Sequence, residues 1–265
     1  MPPKRAADDD ARTEEIKKFR SAIDAMADDW VCPITYELPV DPVVAEDGHV
    51  YERSAIEEHI RTKGAAELKS PMTGLSMGRK LLPSTQARNT IEKLVRTGAI
   101  TGDKADSWTK RIKDEEELRA IRRRAEAGDL DAMHDLGVLH ELGDSHGLKK
   151  DYAAAYSWYK KAADAGHVSA MAYAGWHMLY SADFGVANPT YGMGLIFRGA
   201  EMGSARGAHD LGDYFYKGRN GLPKDLPQAK YWYGRVATAT YPDLSQKHCD
   251  EAVARVQELQ AAGVA

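Results

Sequence analysis

Apolar positions change their period several times along the chain, and each change marks a boundary. Between Thr13 and Ala27, Ile16, Phe19, Ile23 and Met26 recur every three or four residues. That spacing predicts an amphipathic helix over 13–27, after a disordered tail at 1–12. From Trp30 the texture breaks into Pro, Val and turn residues. Val43-Val44 and His49-Val50-Tyr51 predict two short strands about a turn at Asp47-Gly48. RSAIEEHIRTK, from Arg53, predicts a helix with Ser54 as its cap and Ala55, Ile56, His59 and Ile60 on one side. KSPMTGLSMGRKLLPS (69–84) reads as loop, and TQARNTIEKLVRTG (85–98) as a second helix stopped by Gly98. Residues 99–124 read as a linker that is a charged, solvated helix from 103, with Glu115 and Arg119 spaced i,i+4. DEEE (114–117) compensates the RRR run at 122–124, which argues against a phosphate site there.

From Ala125 the chain repeats itself. AEAGDLDAMHDLG, ADAGHVSAMAYAG and AEMGSARGAHDLG align, with Gly128, Gly166 and Gly203 spaced 38 and 37 residues apart and Gly137, Gly175 and Gly212 spaced alike. SWYKKAA, LIFRGAE and KYWYGRVA follow in turn. Such a period marks a helical solenoid over 125–240. Ala132, Ala170, Gly137, Gly175 and Gly212 let paired helices approach closely. Trp158, Tyr159, Phe197, Trp232 and Tyr233 are expected to fill the gaps between neighbouring pairs. The last segment, 241–265, is expected to cap the array with a helix whose Leu244, Ala252, Val253, Val256 and Leu259 share one side.

Composition narrows the function. With 265 residues, 43% hydrophobic and 29% charged, the chain has the make-up of a soluble globular protein. A net charge of −4 speaks against bulk nucleic-acid binding. No apolar run is long enough to span a membrane. Two cysteines, Cys32 and Cys249, indicate a reducing compartment, read as cytoplasmic. The Lys4-Arg5 pair is a weak basic signal towards the nucleus. His134, His140, His146, His167, His177 and His209 are scattered at solenoid positions without a nucleophile motif, so no catalytic residue and no cofactor is assigned.

The segment from Trp30 to Thr97 has the layout of a two-loop domain closed by zinc, yet it holds only Cys32, His49 and His59. Two tetrahedral zinc sites need eight ligands, so no metal is expected. CPITYELPVDPV (32–43), GHVYERSAIEEHI (48–60), SPMTG (70–74) and LLPS with RNTIEKL (81–94) resemble the U-box, the metal-free relative of the zinc RING domain. The repeats resemble Sel-1-like repeats, relatives of tetratricopeptide repeats. The second copy, VANPTYGMGLIFRGAE, lacks the Lys-Asp pair and the Trp-Tyr pair of its neighbours.

Together the resemblances imply a mainly α chain, in which a small α+β U-box at 28–98 precedes a helical-repeat α-solenoid. They imply a ubiquitin ligase that recruits a ubiquitin-charged conjugating enzyme, with an unknown client or adaptor on the repeats. Such a ligase positions a thioester near a lysine and forms no covalent intermediate, so Cys32 is expected to be a core thiol. The docking positions carried over are Ile34, Tyr36, His59 and Pro71. The polar residues expected to replace zinc are Glu37, Asp41, Tyr51, Arg53, Ser54, Glu57, Thr73 and Asn89. Gly74 stands where many active members carry Arg or another long polar side chain, and Lys69 or Arg79 lies near enough in sequence to substitute. That departure leaves a second reading, a non-catalytic scaffold. The 13–27 helix could pair two copies or pack on the U-box.

Overall fold

The structure, a computed structural model, describes Glu14 and residues 28–63, 68–143, 147–180, 187–240 and 243–264. The expected tail at 1–12 and most of the helix at 13–27 lie outside the described residues. The chain divides into two compact units between Glu115 and Glu116.

In the first unit, β1 (Pro42–Ala45) pairs antiparallel with β2 (Val50–Glu52), Val43 opposite Tyr51. A third strand, β3 (Leu81–Pro83), pairs on the other edge of β1 with Val44 opposite Leu82. The sequence reading placed this segment in a loop. Three residues ending in Pro give too short a run for an alternation to show. α1 (Arg53–Thr62) starts directly from β2, with the extended Glu52 at its cap position and no side-chain cap bond. Ser54 is therefore not a cap; it lies exposed in the first turn. Ser84 does cap α2 (Thr85–Arg96), accepting from the Ala87 backbone N–H at 3.3 Å.

Two apolar clusters hold this unit. Cys32, Val43, Tyr51, Ile56, Ile60, Leu68 and Met77 form one, with Ile34 against it. Leu38, Val40, Ile91, Ile100, Ala105 and Trp108 form the other. Ala105 and Trp108 belong to α3 (Asp103–Glu126), so the first half of the expected linker is part of this core. Glu115 accepts from Arg88 of α2 at 3.2 Å.

Among its described residues the second unit holds the end of α3 and seven further helices: α4 (Leu130–Leu142), α5 (Tyr152–Asp164), α6 (Val168–Tyr180), α7 (Pro189–Glu201), α8 (Ala205–Lys217), α9 (Leu226–Val236) and α10 (Gln246–Ala261). Each repeat is a helical hairpin. Asp151, Asn188 and Asp225, spaced 37 residues apart, cap the second helix of each hairpin by accepting from the backbone N–H three residues on. The Lys-Asp motif is therefore a cap, and Asn188 supplies it in the second repeat, where the sequence looked degenerate. Asp129, His167 and Ser204 cap the first helices in the same way.

The recurring spacing of small residues has a steric cause. A Cβ added at Gly137 would stand 2.4 Å from the Tyr159 ring, and one at Gly212 would stand 2.6 Å from the Tyr233 ring. Tyr159 and Tyr233 therefore fill the gap within their own hairpin, and Tyr159 also fills the gap between pairs, stacking on Tyr173 of the next hairpin at 4.9 Å. At Gly175 the space is taken by the Gly192 carbonyl and Ile196. Between repeats two and three, Phe197 meets Trp232 edge-on at 5.9 Å. On α10, Ala252 and Leu259 are buried, but Val253 is 45% exposed, so the apolar side of the cap is narrower than its spacing suggested.

Gly212→Ala should lower the unfolding free energy of the repeats by about 1–3 kcal/mol through overpacking against Tyr233. Asn188→Ala should cost about 1 kcal/mol, with Asn188→Asp near neutral. Denaturant titrations followed by far-ultraviolet circular dichroism check both.

Candidate functional site

Two loops flank α1 in the first unit. Loop one turns on itself: Cys32 N–H donates to the Glu37 carbonyl at 2.9 Å, and Tyr36 N–H donates to the Cys32 carbonyl at 2.8 Å. Tyr36 has φ +59°, a left-handed conformation rare for a non-glycine residue, and the residue is 78% exposed. Loop two is a turn in which Ser70 N–H donates to the Leu75 carbonyl and Gly74 N–H to the Ser70 carbonyl. It leaves Met72 and Leu75 exposed, by 57% and 71%. His59 of α1 spans to this loop, donating from Nε2 to the Lys69 carbonyl at 2.8 Å.

Of the docking positions carried over by resemblance, Ile34 is half-buried on the Cys32 cluster and Tyr36 stands out from it. His59 is engaged with loop two, and Pro71 is half-buried in the turn. Gly74 has φ +69°, and a Cβ there would meet nothing within 4 Å. Arg79 donates to the Lys63 carbonyl at 3.3 Å, so its guanidinium is tied there.

Two carboxylates organise these loops, and neither was singled out in the sequence. Asp47, in the turn before β2, accepts from the Tyr51 hydroxyl at 2.7 Å and the Ser70 hydroxyl at 2.5 Å, both on the same oxygen. Its other oxygen accepts from the His49 backbone N–H at 3.0 Å. Ser70 Oγ in turn accepts from the Met72 and Thr73 backbone N–H groups at 3.1 and 2.9 Å. One carboxylate thus ties the β1–β2 turn to loop two. Burial works against its charge, but the bonds from Ser70, Tyr51 and His49 outweigh it and hold the pKa below the ordinary aspartate value. Burial, and then the Asp47 carboxylate, push the Tyr51 hydroxyl up to about 12.

Glu52, at the other end of β2, accepts from the Val40 and Asp41 backbone N–H groups at 2.8 and 3.3 Å. Its charge is met by Arg111 of α3 at 2.5 Å. Arg111 also donates to Glu37 at 3.0 Å. Separately, Arg53 donates to Asp41 at 2.6 Å and lies 3.8 Å from Glu57. Of the expected polar residues, then, Glu37, Asp41 and Arg53 make side-chain bonds between separate segments, Tyr51 bonds to Asp47 within the hairpin, and Glu57 pairs with Arg53 one turn away on α1. Thr73 acts locally, accepting from Leu75 N–H at 3.3 Å. Ser54 and Asn89 lie exposed. Asp47 was hidden because a turn Asp before Gly has an ordinary local use. Among the described residues, no three His, Cys, Asp or Glu side chains converge to hold a metal ion, and no helix is long and apolar enough to cross a membrane.

The family model described as the U-box domain matches residues 26–99, and that described as the Sel1 repeat matches residues 130–167 and 205–240. The chain carries a U-box followed by Sel1 repeats. The U-box is 36% identical over 88 residues to the human WD repeat, SAM and U-box domain-containing protein 1, covering 32% of this chain and 18% of that protein. It is 34% identical over 87 residues to U-box domain-containing protein 18 of Arabidopsis thaliana, covering 32% and 12%. It is also 42% identical over 57 residues to a Lotus japonicus protein named as a candidate E3 ubiquitin-protein ligase, LIN-1, covering 22% and 4%. The chain spans less than a fifth of the length of these relatives. On the repeat side, the structure of a Sel1 repeat protein from Oxalobacter formigenes aligns at 30% identity over 54% of this chain and 98% of that one, with a TM-score of 0.40.

In the repeats, side chains on the first helix of each hairpin touch across the array. His134 lies edge-on to Tyr173 at 5.4 Å, and the Arg206 guanidinium lies 5.0 Å from the Tyr173 ring centre. Arg206 also donates to Asp210 at 3.0 Å. Elsewhere in the repeats, Lys160 pairs with Asp164, and Arg235 with Glu201.

Asp47→Asn should destabilise the U-box by about 1–3 kcal/mol at pH 7, through the loss of charged acceptor bonds. Because the folded-state pKa is depressed, the carboxylate's contribution is present above the unfolded value near 3.9 and is lost as pH falls through the folded value. The gap in melting temperature between wild type and Asp47→Asn should therefore narrow below about pH 4. Thermal unfolding across a pH series checks this.

Proposed function

We propose that the chain is a ubiquitin ligase: its U-box docks a ubiquitin-charged conjugating enzyme, and its Sel1 repeats hold the client that receives ubiquitin. The observation that carries this reading is the U-box match over residues 26–99, on a unit that exposes Tyr36 in loop one and Met72 and Leu75 in loop two. Exposed apolar side chains on polar-bonded loops suit a protein partner. The ligase contributes proximity and orientation, holding a thioester within reach of a client lysine. Cys32 is fully buried, which supports transfer without a covalent intermediate on the ligase. The face bearing Tyr173 and Arg206 supplies aromatic and charged groups to a client.

A second reading keeps docking and drops transfer, making the protein a scaffold. Gly74 favours it, since it offers no side chain to a charged conjugating enzyme at the place where many U-boxes present one.

Incubation of the full chain with ubiquitin, activating enzyme and a panel of conjugating enzymes decides between them. The ligase reading expects ubiquitin ladders that Ile34→Ala removes. Binding to a conjugating enzyme without ladders from any of the panel leaves the scaffold. Gly74→Arg has open space for its Cβ and a backbone cost of about 1–2 kcal/mol for the left-handed φ. It should raise the rate of ubiquitin discharge about tenfold, a gain corresponding to ~1.4 kcal/mol of transition-state stabilisation.

A further inference from the structure

The stem of loop one, Glu37 to Asp41, belongs to no strand or helix, yet every residue in it is tied down. The Glu37 carboxylate accepts from Ser107 Oγ at 3.1 Å and Arg111 Nη1 at 3.0 Å. The Leu38 carbonyl accepts from Arg111 Nη1 at 3.1 Å. The Pro39 carbonyl accepts from Trp108 Nε1 at 3.1 Å. Val40 and Asp41 donate their backbone N–H groups to Glu52. Leu38 and Val40 are buried against Ala105 and Trp108. Residues 37–39 are thus held from α3, and residues 40–41 from a carboxylate that α3 neutralises.

We propose that the Ala105–Arg111 half of α3 is a clamp that positions loop one for docking, with Arg111 as its positioning residue. The proposal rests on the docking role given above to loop one. It goes beyond the family match, which ends at residue 99, before α3 begins.

Arg111 holds three acceptors at once: the Glu37 carboxylate, the Leu38 carbonyl and the Glu52 carboxylate. A planar guanidinium can do this in one geometry, whereas an ammonium group is a point charge on a flexible stem. The Glu52 side chain is only 7% exposed, so its charge depends on this partner. The tip that carries Ile34 and Tyr36 closes on itself between Cys32 and Glu37, and Glu37 is where the clamp begins. Releasing the stem leaves the tip's own turn intact and frees it to shift against α1.

The test uses the full chain and reads discharge of a ubiquitin-charged conjugating enzyme to free lysine, with the charged enzyme titrated. Arg111→Met, Arg111→Lys, the double variant Arg111→Met/Glu52→Gln, and Ile34→Ala are compared with wild type, each well below its melting temperature. Backbone hydrogen exchange at residues 37–41 is measured in parallel. Arg111→Met should raise KM about tenfold with kcat within about twofold, the pattern of lost binding geometry rather than lost chemistry. Arg111→Lys should recover only part of the loss. The double variant removes the stranded Glu52 charge, so its melting temperature should return towards wild type while KM stays raised and exchange at 37–41 stays fast. Wild-type KM in the refolded double variant, or unchanged exchange at 37–41 in Arg111→Met, overturns the clamp. If wild type itself neither discharges nor binds any charged enzyme, the ligase reading and the docking role of loop one fall together. Loss of function in Ile34→Ala with Arg111→Met unaffected overturns the clamp alone.

Discussion

A buried carboxylate has to be matched, and two such carboxylates at the ends of β2 set the shape of the U-box. Asp47 and Glu52 cannot be taken from water as bare charges without a cost of several kcal/mol each. Asp47 is satisfied by hydroxyls from β2 and loop two and by a turn amide. Glu52 is satisfied by loop-one amides and a guanidinium from α3. Each carboxylate thereby joins segments that are far apart in sequence, which is the office that a metal ion performs in a zinc-closed fold. The loops are held by their polar stems, and that leaves the apolar tips free to face outwards.

The repeats obey a different constraint. Their helices are spaced by sterics: a glycine on one helix receives a tyrosine ring from its partner, as Gly137 does Tyr159 and Gly212 does Tyr233. Both tyrosine hydroxyls still need an acceptor, and they find Glu141 and Asp213. Capping residues punctuate the helices, and glycines with φ near +100° at 128, 166 and 203 follow α3, α5 and α7 just before the next cap. The array therefore repeats the same steric and capping contacts hairpin by hairpin, while the U-box depends on polar contacts that do not recur.

That difference explains what could be read from the sequence. Periodic small and large residues announce a stacked helical array, because the same contacts recur at a fixed spacing, and Asn188 was overlooked only because it caps under another name. The two loops of the U-box and its helices were legible as well. The polar network was legible only in part. Tyr51, Glu37, Asp41 and Arg53 were recognised, but the two organising carboxylates were not. Asp47 looks like a turn residue, and Glu52 looks like the solvated end of a strand. Arg111 lies 59 residues from Glu52 in what reads as a charged linker, and no local pattern connects them. Strand β3 was missed for a related reason, since its partner, not its own three residues, makes it a strand.

The central claim is that side-chain polar bonds focused on Asp47 hold the docking loops where a metal could have held them. A double-mutant cycle with Tyr51→Phe and Ser70→Ala, read as unfolding free energy of the full chain, tests it most directly. Both hydroxyls donate to one carboxylate oxygen, so removing one must change what the other contributes. The account predicts an interaction energy of about 0.5–3 kcal/mol between the two substitutions. Effects that simply add, to within about 0.3–0.5 kcal/mol, would contradict it.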